Sequence, residues 1–480
     1  MNFRGVLFLL GRLLLALAAA LLVPTAVAWW TRGPDRWAFA IAAIVVLVAG
    51  VVLERVFRQP DGFAFGRREA FVLVTLAWVT ASLAGAIPFL LYHGIGSWAD
   101  ALFESASGFT TTGASILTDI EVQPAGVLLW RSLTHWMGGM GIIVLGIAIL
   151  PKLAVGGMEL LGAEAPGPIT EKMTPRIAQT AKLLWVSYTA FTLIEVAALM
   201  LLGVGALDAV NHSMATMATG GFSTLNRSIG GFDSWAIELV VLVFMVLAGM
   251  NFALHYQMLR GRPKPLLRDP EVRLYAGILG VATFVMAIDL LLHRWTLDIF
   301  AAVRHAAFQA ATVVTTTGFA TVDFDTWPNF SKAVLFVLMF VGGCAGSTGG
   351  SVKVVRIMIV LKKMGADLRR MVRPHAILPV RIGSRAIPDE VVGSVTTFFL
   401  LFLTLFAVGG LVLALLTGLD LVSAFSASAA CLGNIGPGFG RVGATMNYAF
   451  FPASAKLVLV ALMIVGRLEL YTVLVLLFAG

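Results

Sequence analysis

The sequence predicts an all-α integral membrane protein built from four pseudo-symmetric units. Each unit reads as a long helix, a short pore helix, a Gly-rich filter turn and another helix. The four surround one pore and follow two extra transmembrane helices. Three observations predict this: an apolar composition, a lopsided placement of basic charge, and a turn that recurs four times.

Apolar residues make up 59% of the 480 and charged residues 12%, where a soluble domain is about a quarter charged. Low-charge stretches lie at Val6–Trp30, Phe39–Leu53, Phe71–Tyr92, Val127–Leu150, Leu183–Val204, Ile237–Asn251, Leu274–Leu292, Val391–Leu416 and Leu457–Leu477, with a shorter one at Val334–Cys344. About 20 such residues cross a hydrocarbon core of about 30 Å. The first stretch, with Arg4 before it and Ala26-Val27-Ala28 near its end, has the outline of a secretory leader. It exceeds the usual apolar length of about 7–15 residues, so a retained helix is expected.

The net charge of +8 is topogenic rather than a nucleic-acid footprint. With the N-terminus inside, inner segments 54–69, 151–182, 259–273 and 362–390 hold 20 Lys/Arg, and the outer segments hold 6. That is the positive-inside asymmetry. The outer segments carry Asp35, Asp100, Glu104, Asp119, Glu121, Asp208, Asp233, Asp298, Asp323, Asp325 and Asp420. These are either a cation-concentrating mouth or an ordinary solvated rim.

The two cysteines, Cys344 and Cys431, indicate neither a disulfide framework nor a metal cluster. Nothing points to an enzyme: there is no P-loop and no zinc-spaced His pair. Gly438-x-Gly440-x-x-Gly443 matches the dinucleotide fingerprint, but it has no βαβ setting and reads as coincidence.

The recurring turns are Gly108–Ala114, Ala218–Phe222, Thr315–Phe319 and Gly433–Pro437. Taking Gly113, Gly220, Gly318 and Gly436 as equivalent gives spacings of 107, 98 and 118 residues, which reads as an internal repeat. Before each turn stands an Asp beside an apolar run: Asp100, Asp208, Asp298 and Asp420. A carboxylate there can cap a short helix and complement its dipole. The expected units are 1–69 (two N-terminal spans), 70–182, 183–273, 274–390 and 391–480.

Non-helical backbone at membrane depth is tolerated only in protein or lining an aqueous cavity. Four Thr/Gly-rich stretches on related units suggest a ring of carbonyls that replaces a cation's hydration shell. Gly at each turn admits backbone dihedrals closed to other residues. A cation-coupled secondary transporter would also use broken helices, but in inverted repeats; a membrane scaffold would need no matching turns.

The third unit is unusual. Gly342, Gly343, Gly346, Gly349 and Gly350 crowd the segment ending at Lys353, and each Gly costs a helix interior about 1 kcal/mol. An interrupted helix is therefore expected, either packed closely through small residues or forming a flexible loop. Arg467 interrupts a later apolar run. It is either a snorkelling residue or a functional charge.

Further motifs are Trp136–Ile142, Ala163-Glu164-Ala165-Pro166-Gly167-Pro168, Gly342–Lys353 and Gly466-Arg467-Leu468-Glu469. With the four turns, they make the chain resemble, over essentially its whole length, the Trk/Ktr/HKT superfamily of potassium transporters, TrkH type. The resemblance implies gated K⁺ uptake across a bacterial cytoplasmic (inner) membrane, with no organic cofactor. It implies filter residues Thr111, Thr112, Gly113, Thr219, Gly220, Thr316, Thr317, Gly318, Asn434, Ile435 and Gly436. Asn434-Ile435-Gly436 departs from Thr-x-Gly, a departure usual in the family's last repeat. It further implies a gating loop at Gly342–Lys353, Arg467 projecting into the path, a homodimer, and control by a cytosolic TrkA-type nucleotide-binding ring. The basic segments 259–273 and 362–390 would be docking surfaces for that ring, or topogenic charge alone.

Overall fold

The computed structural model describes residues 3–59, 66–92, 94–148, 173–376, 378–383 and 385–473. The motif at 163–168, most of inner segment 151–182 and the end of the last apolar stretch lie outside the described residues.

The chain is a helical membrane protein. An N-terminal hairpin, α1 (Phe3–Trp30) and α2 (Arg36–Val56), packs along its whole length. Gly11 and Gly50 permit this, since a Cβ on Gly11 would meet the Gly50 carbonyl at 3.0 Å. Four units of one order follow: a long helix, a short helix, a loop and a second helix. The long leading helices are α3 (Arg67–Tyr92), α6 (Met173–Leu201), α11 (Pro270–Leu292) and α15 (Asp389–Thr417). The short ones are α4 (Trp98–Phe109), α7 (Ala206–Met217), α12 (Ile299–Val314) and α16 (Leu421–Leu432). After each loop the chain leaves through α5 (Ala125–Ala148), the pair α8 (Trp235–Ala248) and α9 (Phe252–Leu259), the pair α13 (Asn329–Leu338) and α14 (Val354–Val372), or α17 (Ala453–Arg467). A short helix α10 (Lys264–Arg268) and a two-residue hairpin, Arg381–Ile382 with Arg385–Ala386, sit in the connections. Among the described residues six helices are long and apolar enough to cross a membrane. The bent pair α8–α9, its halves at 106°, would make a seventh.

Beyond their exposed first turns the short helices are largely buried, and small residues make that possible. In α16, Ser423, Ala424, Ser426, Ala427, Ser428, Ala429 and Ala430 are all buried. Their N-termini are capped in different ways. Asp298 and Asp420 are true caps, accepting from the N–H groups of Phe300 at 2.9 Å and Ser423 at 3.0 Å. In α4 the cap is Ser97, and Asp100 closes a capping box from the third helical position. Asp100 also pairs with Lys456 of α17 at 2.5 Å. Asp208 departs from the expected pattern: Gly205 stands at the cap of α7 with no side chain to offer, and Asp208 instead accepts from Thr224 Oγ1 at 2.7 Å. Asp420 is exposed, and its hydrogen bonds from Ser423 hold it below the usual carboxylate range.

Candidate functional site

The four loops share one backbone geometry. Thr111, Thr219, Thr316 and Asn434 each follow a short helix in the left-handed region, at φ 53°, 53°, 58° and 54°. The next residue in each loop donates its N–H to a carbonyl five residues back: Thr112 to Ser107, Gly220 to Ala215, Thr317 to Thr312 and Ile435 to Ala430, at 2.8–2.9 Å. This is the Schellman ending of a helix, where Gly or Asn normally takes the left-handed position. Three β-branched threonines there are genuine outliers, and such strain persists only when the surroundings enforce it.

The third residue of each loop is a glycine at positive φ: Gly113 (78°), Gly221 (78°), Gly318 (84°) and Gly436 (98°). The second repeat is therefore offset by one from the alignment the sequence suggested. Gly221, not Gly220, corresponds to the other three, and Gly220 holds the middle position filled by Thr112, Thr317 and Ile435. Two adjacent glycines hide that register in the sequence.

These glycines also explain the mutual packing of the loops. A Cβ on Gly113 would collide with the carbonyl oxygen of Gly220, one on Gly221 with that of Thr317, and one on Gly318 with that of Ile435. A Cβ on Gly436 would stand 2.6 Å from the carbonyl of Thr112. Each glycine abuts the middle carbonyl of the following loop, and the fourth returns to the first, so the set closes on itself. Among the described residues no hydrogen bond is made to these four carbonyls. Their N–H groups are spent on the short helices, and the oxygens are left for another partner.

The wall behind the loops holds groups that the sequence reading missed. Glu104, and with it Asp35 away at the start of α2, stand among the acidic residues expected on the outer side, but both are fully buried. Glu104 accepts from Arg131 Nε at 2.7 Å, Ser115 Oγ at 2.9 Å and Ile116 N–H at 2.9 Å. Arg131, also buried, reaches the Ser223 carbonyl at 3.0 Å and so ties the first loop region to the second. The sequence signal was available: a lone Arg inside an apolar stretch, opposite a lone Glu in an Ala/Ser-rich one. At the equivalent position of α7, His212 Nε2 meets Ser223 Oγ at 2.9 Å.

The interruption expected near Gly342–Gly350 is present, since α13 ends at Leu338 and α14 begins at Val354. The intervening segment lies against the C-terminal ends of three short helices. Thr348 Oγ1 donates to the carbonyl of Met217 at 3.0 Å. A Cβ on Gly349 would be 3.1 Å from the Thr315 carbonyl, and one on Gly350 would collide with that of Gly433. Gly350 N–H donates to Thr316 Oγ1 at 2.6 Å. Of the five glycines only Gly346 has positive φ, at 75°; close approach explains the others. Glu271 ties the segment to the start of α14, its Oε1 accepting from Ala345 N–H at 2.8 Å and Val355 N–H at 2.9 Å. Lys353 is buried and donates to the Gly349 carbonyl.

Arg467 does not snorkel. It is 2% exposed, and its guanidinium donates to the carbonyls of Thr348 at 2.8 Å and Gly138 at 3.2 Å. One side chain thus joins the interrupted segment to α5 and α17. Glu469 pairs instead with Arg356, whose guanidinium lies 4.0 Å from the centre of the Phe398 ring. The apolar stretch 237–251 does not by itself predict the sharp bend between α8 and α9. There the Gly249 carbonyl accepts from Cys344 N–H at 2.8 Å and Asn251 caps α9 through Ala253 N–H, so the bend receives the interrupted segment. Cys344 and Cys431 are both free and buried.

Comparison with known proteins agrees with this architecture. The TrkH family, described as "Cation transport protein", matches residues 36–479. The Trk system potassium uptake protein TrkH of Escherichia coli K12 is 40% identical over 479 residues, covering 99% of this chain and 98% of that protein. TrkG of the same organism is 33% identical over 480 residues, with 99% and 98% covered. The crystal structure of the potassium transporter TrkH from Vibrio parahaemolyticus superposes with a TM-score of 0.91 at 38% identity, covering 99% of both chains. The chain belongs to the TrkH family of cation transport proteins, which are multi-pass membrane transporters and not enzymes.

Proposed function

We propose that this protein takes up K⁺ across the bacterial cytoplasmic membrane through a single K⁺-selective, gated pore. The observation that carries the reading is the closed cycle of middle-position carbonyls on Thr112, Gly220, Thr317 and Ile435, unclaimed by donors among the described residues. Carbonyl oxygens with no donor are costly unless something replaces water around them, and a dehydrated monovalent cation does so. The four short helices end at these loops, adding the partial negative charge of their C-termini. The potassium uptake activity named for the relatives agrees with this chemistry.

The filter residues are Thr111, Thr112, Gly113, Thr219, Gly220, Thr316, Thr317, Gly318, Asn434, Ile435 and Gly436, now joined by Gly221. The gate is the segment Gly342–Lys353, pinned by Arg467. Released from Thr348, that segment can move away from the helix ends; held there, it blocks the path. The driving signal comes from a cytosolic TrkA-type nucleotide-binding ring docking on the basic segments 259–273 and 362–390. The working unit is a homodimer, each protomer with its own pore and its repeats at 70–182, 183–273, 274–390 and 391–480 behind the N-terminal pair 1–69.

K⁺ flux into vesicles of purified protein, with and without an imposed pH or Na⁺ gradient, tests this. Flux that follows the K⁺ gradient alone is expected. Flux that requires either of the other gradients would make the protein a coupled transporter instead.

A further inference from the structure

We infer that His135 is the missing side chain of the second loop: a positioning residue that fills, from α5, the wall position occupied in the other three loops by the loop's own residue. The inference rests on the pore reading above and adds a determinant of its selectivity.

At the middle position the loops carry Thr112, Gly220, Thr317 and Ile435. The three side chains are buried and tie their loops down: to the end of the loop's own short helix, to the neighbouring loop, or into the core. Thr112 Oγ1 shares hydrogen bonds with Thr110 Oγ1 at 2.8 Å and Asn434 Nδ2 at 3.0 Å. Thr317 Oγ1 meets Thr315 Oγ1 at 2.7 Å, and Ile435 belongs to a buried apolar cluster that includes residues of α11, α12 and α16. Gly220 has no such anchor. Its φ is not positive, so the dihedral does not require glycine. The neighbour does: a Cβ on Gly220 would collide with His135 Nδ1 and lie 2.5 Å from Cγ and 2.7 Å from Cε1. The imidazole stands where the anchoring side chain would begin.

The ring is fixed for that task. His135 is fully buried and stacks on Phe222, the residue after Gly221, with centroids 4.1 Å apart and planes at 15°. The guanidinium of Arg131, one turn earlier on α5, lies 4.1 Å from the same Phe222 ring and bonds the Ser223 carbonyl. Two α5 side chains thus clamp the second loop from one face. Neither imidazole nitrogen meets a partner in good hydrogen-bond geometry among the described residues. An apolar side chain would fill the volume without burying those nitrogens. A branched one, however, would not present a flat edge to the Gly220 peptide while stacking on Phe222. The carbonyl that abuts Gly113 is therefore set by a residue outside the loops.

A reciprocal exchange tests this, using full-length protein in vesicles and reading the K⁺/Na⁺ flux ratio and the monodisperse yield. His135→Ala removes the anchor and should lower the ratio several-fold while K⁺ still passes. Gly220→Thr alone should lose yield and flux, because threonine and imidazole compete for one space. His135→Ala/Gly220→Thr rebuilds in the second loop the residue found in the first and third, and should recover most of both. The inference is overturned if His135→Ala keeps the parental ratio, or if the double variant recovers neither yield nor ratio over Gly220→Thr. Gly113→Ser serves as the reference. If it shifts the ratio and the His135 set does not, only the positioning role fails; if it too leaves the ratio unchanged, the filter reading fails.

Discussion

The side-chain amide of Asn434 donates to Thr112 Oγ1 at 3.0 Å and to the Met463 carbonyl at 2.9 Å. It fastens the last loop to the first and to α17. Because Asn434 also occupies a left-handed position, its two roles can be separated. Asn434→Gly keeps the backbone and removes the tie, which should cost about 1–3 kcal/mol for the donors and acceptors left unpaired. Asn434→Leu adds backbone strain and should melt at a lower temperature still. Thermal unfolding in detergent checks the order: parent, then Gly, then Leu.

Arg131 and Glu104 form an ion pair with no access to solvent. Removing one partner of such a pair costs about 3–5 kcal/mol, because the other charge stays buried. Arg131→Met should therefore be strongly destabilising, and Arg131→Met/Glu104→Gln less so. Equal melting temperatures for the single and double variants would show that the Ser223 and Phe222 contacts of Arg131, rather than charge compensation, dominate.

At the proposed gate, Arg467→Ala releases the Thr348 carbonyl and, on the proposed reading, takes a positive charge from beside the ion. A like charge 4 Å away costs a cation about 4 kcal/mol at an effective dielectric near 20. Shortening the segment between Gly342 and Gly350 removes the obstruction itself. Both variants should raise basal K⁺ flux without a regulatory partner and leave the K⁺/Na⁺ ratio unchanged. Unchanged or lower flux in well-expressed variants would leave close packing as the role of those glycines.

Much of this was legible in the sequence because membrane insertion writes coarse signals: long apolar runs, basic inner segments, and glycines where a helix must break. The helix order and the interruption before Lys353 follow from those signals alone. What stayed hidden depends on contacts between distant residues. The register of the second loop turned on which of Gly220 and Gly221 takes positive φ, and the answer lies in Thr317 and His135. Glu104 looks like a rim carboxylate until Arg131 is found beside it, 27 residues along the chain. The Gly249–Asn251 bend carries only a Gly and an Asn as warning. What it accommodates is distant in sequence: Cys344 N–H donates to the Gly249 carbonyl and Phe252 N–H to the Gly346 carbonyl.

The most direct test of the pore is a selectivity panel at the closing glycines. Gly113, Gly221, Gly318 and Gly436 are replaced singly by Ala, and the K⁺/Na⁺ permeability ratio is measured in vesicles. Each methyl would push against the middle carbonyl of the next loop or its neighbours, in a backbone conformation that disfavours any side chain. All four variants should lose discrimination against Na⁺, Gly221→Ala as fully as the other three. Parental ratios in the variants that reach the vesicles folded would contradict a selective ring built from these loops.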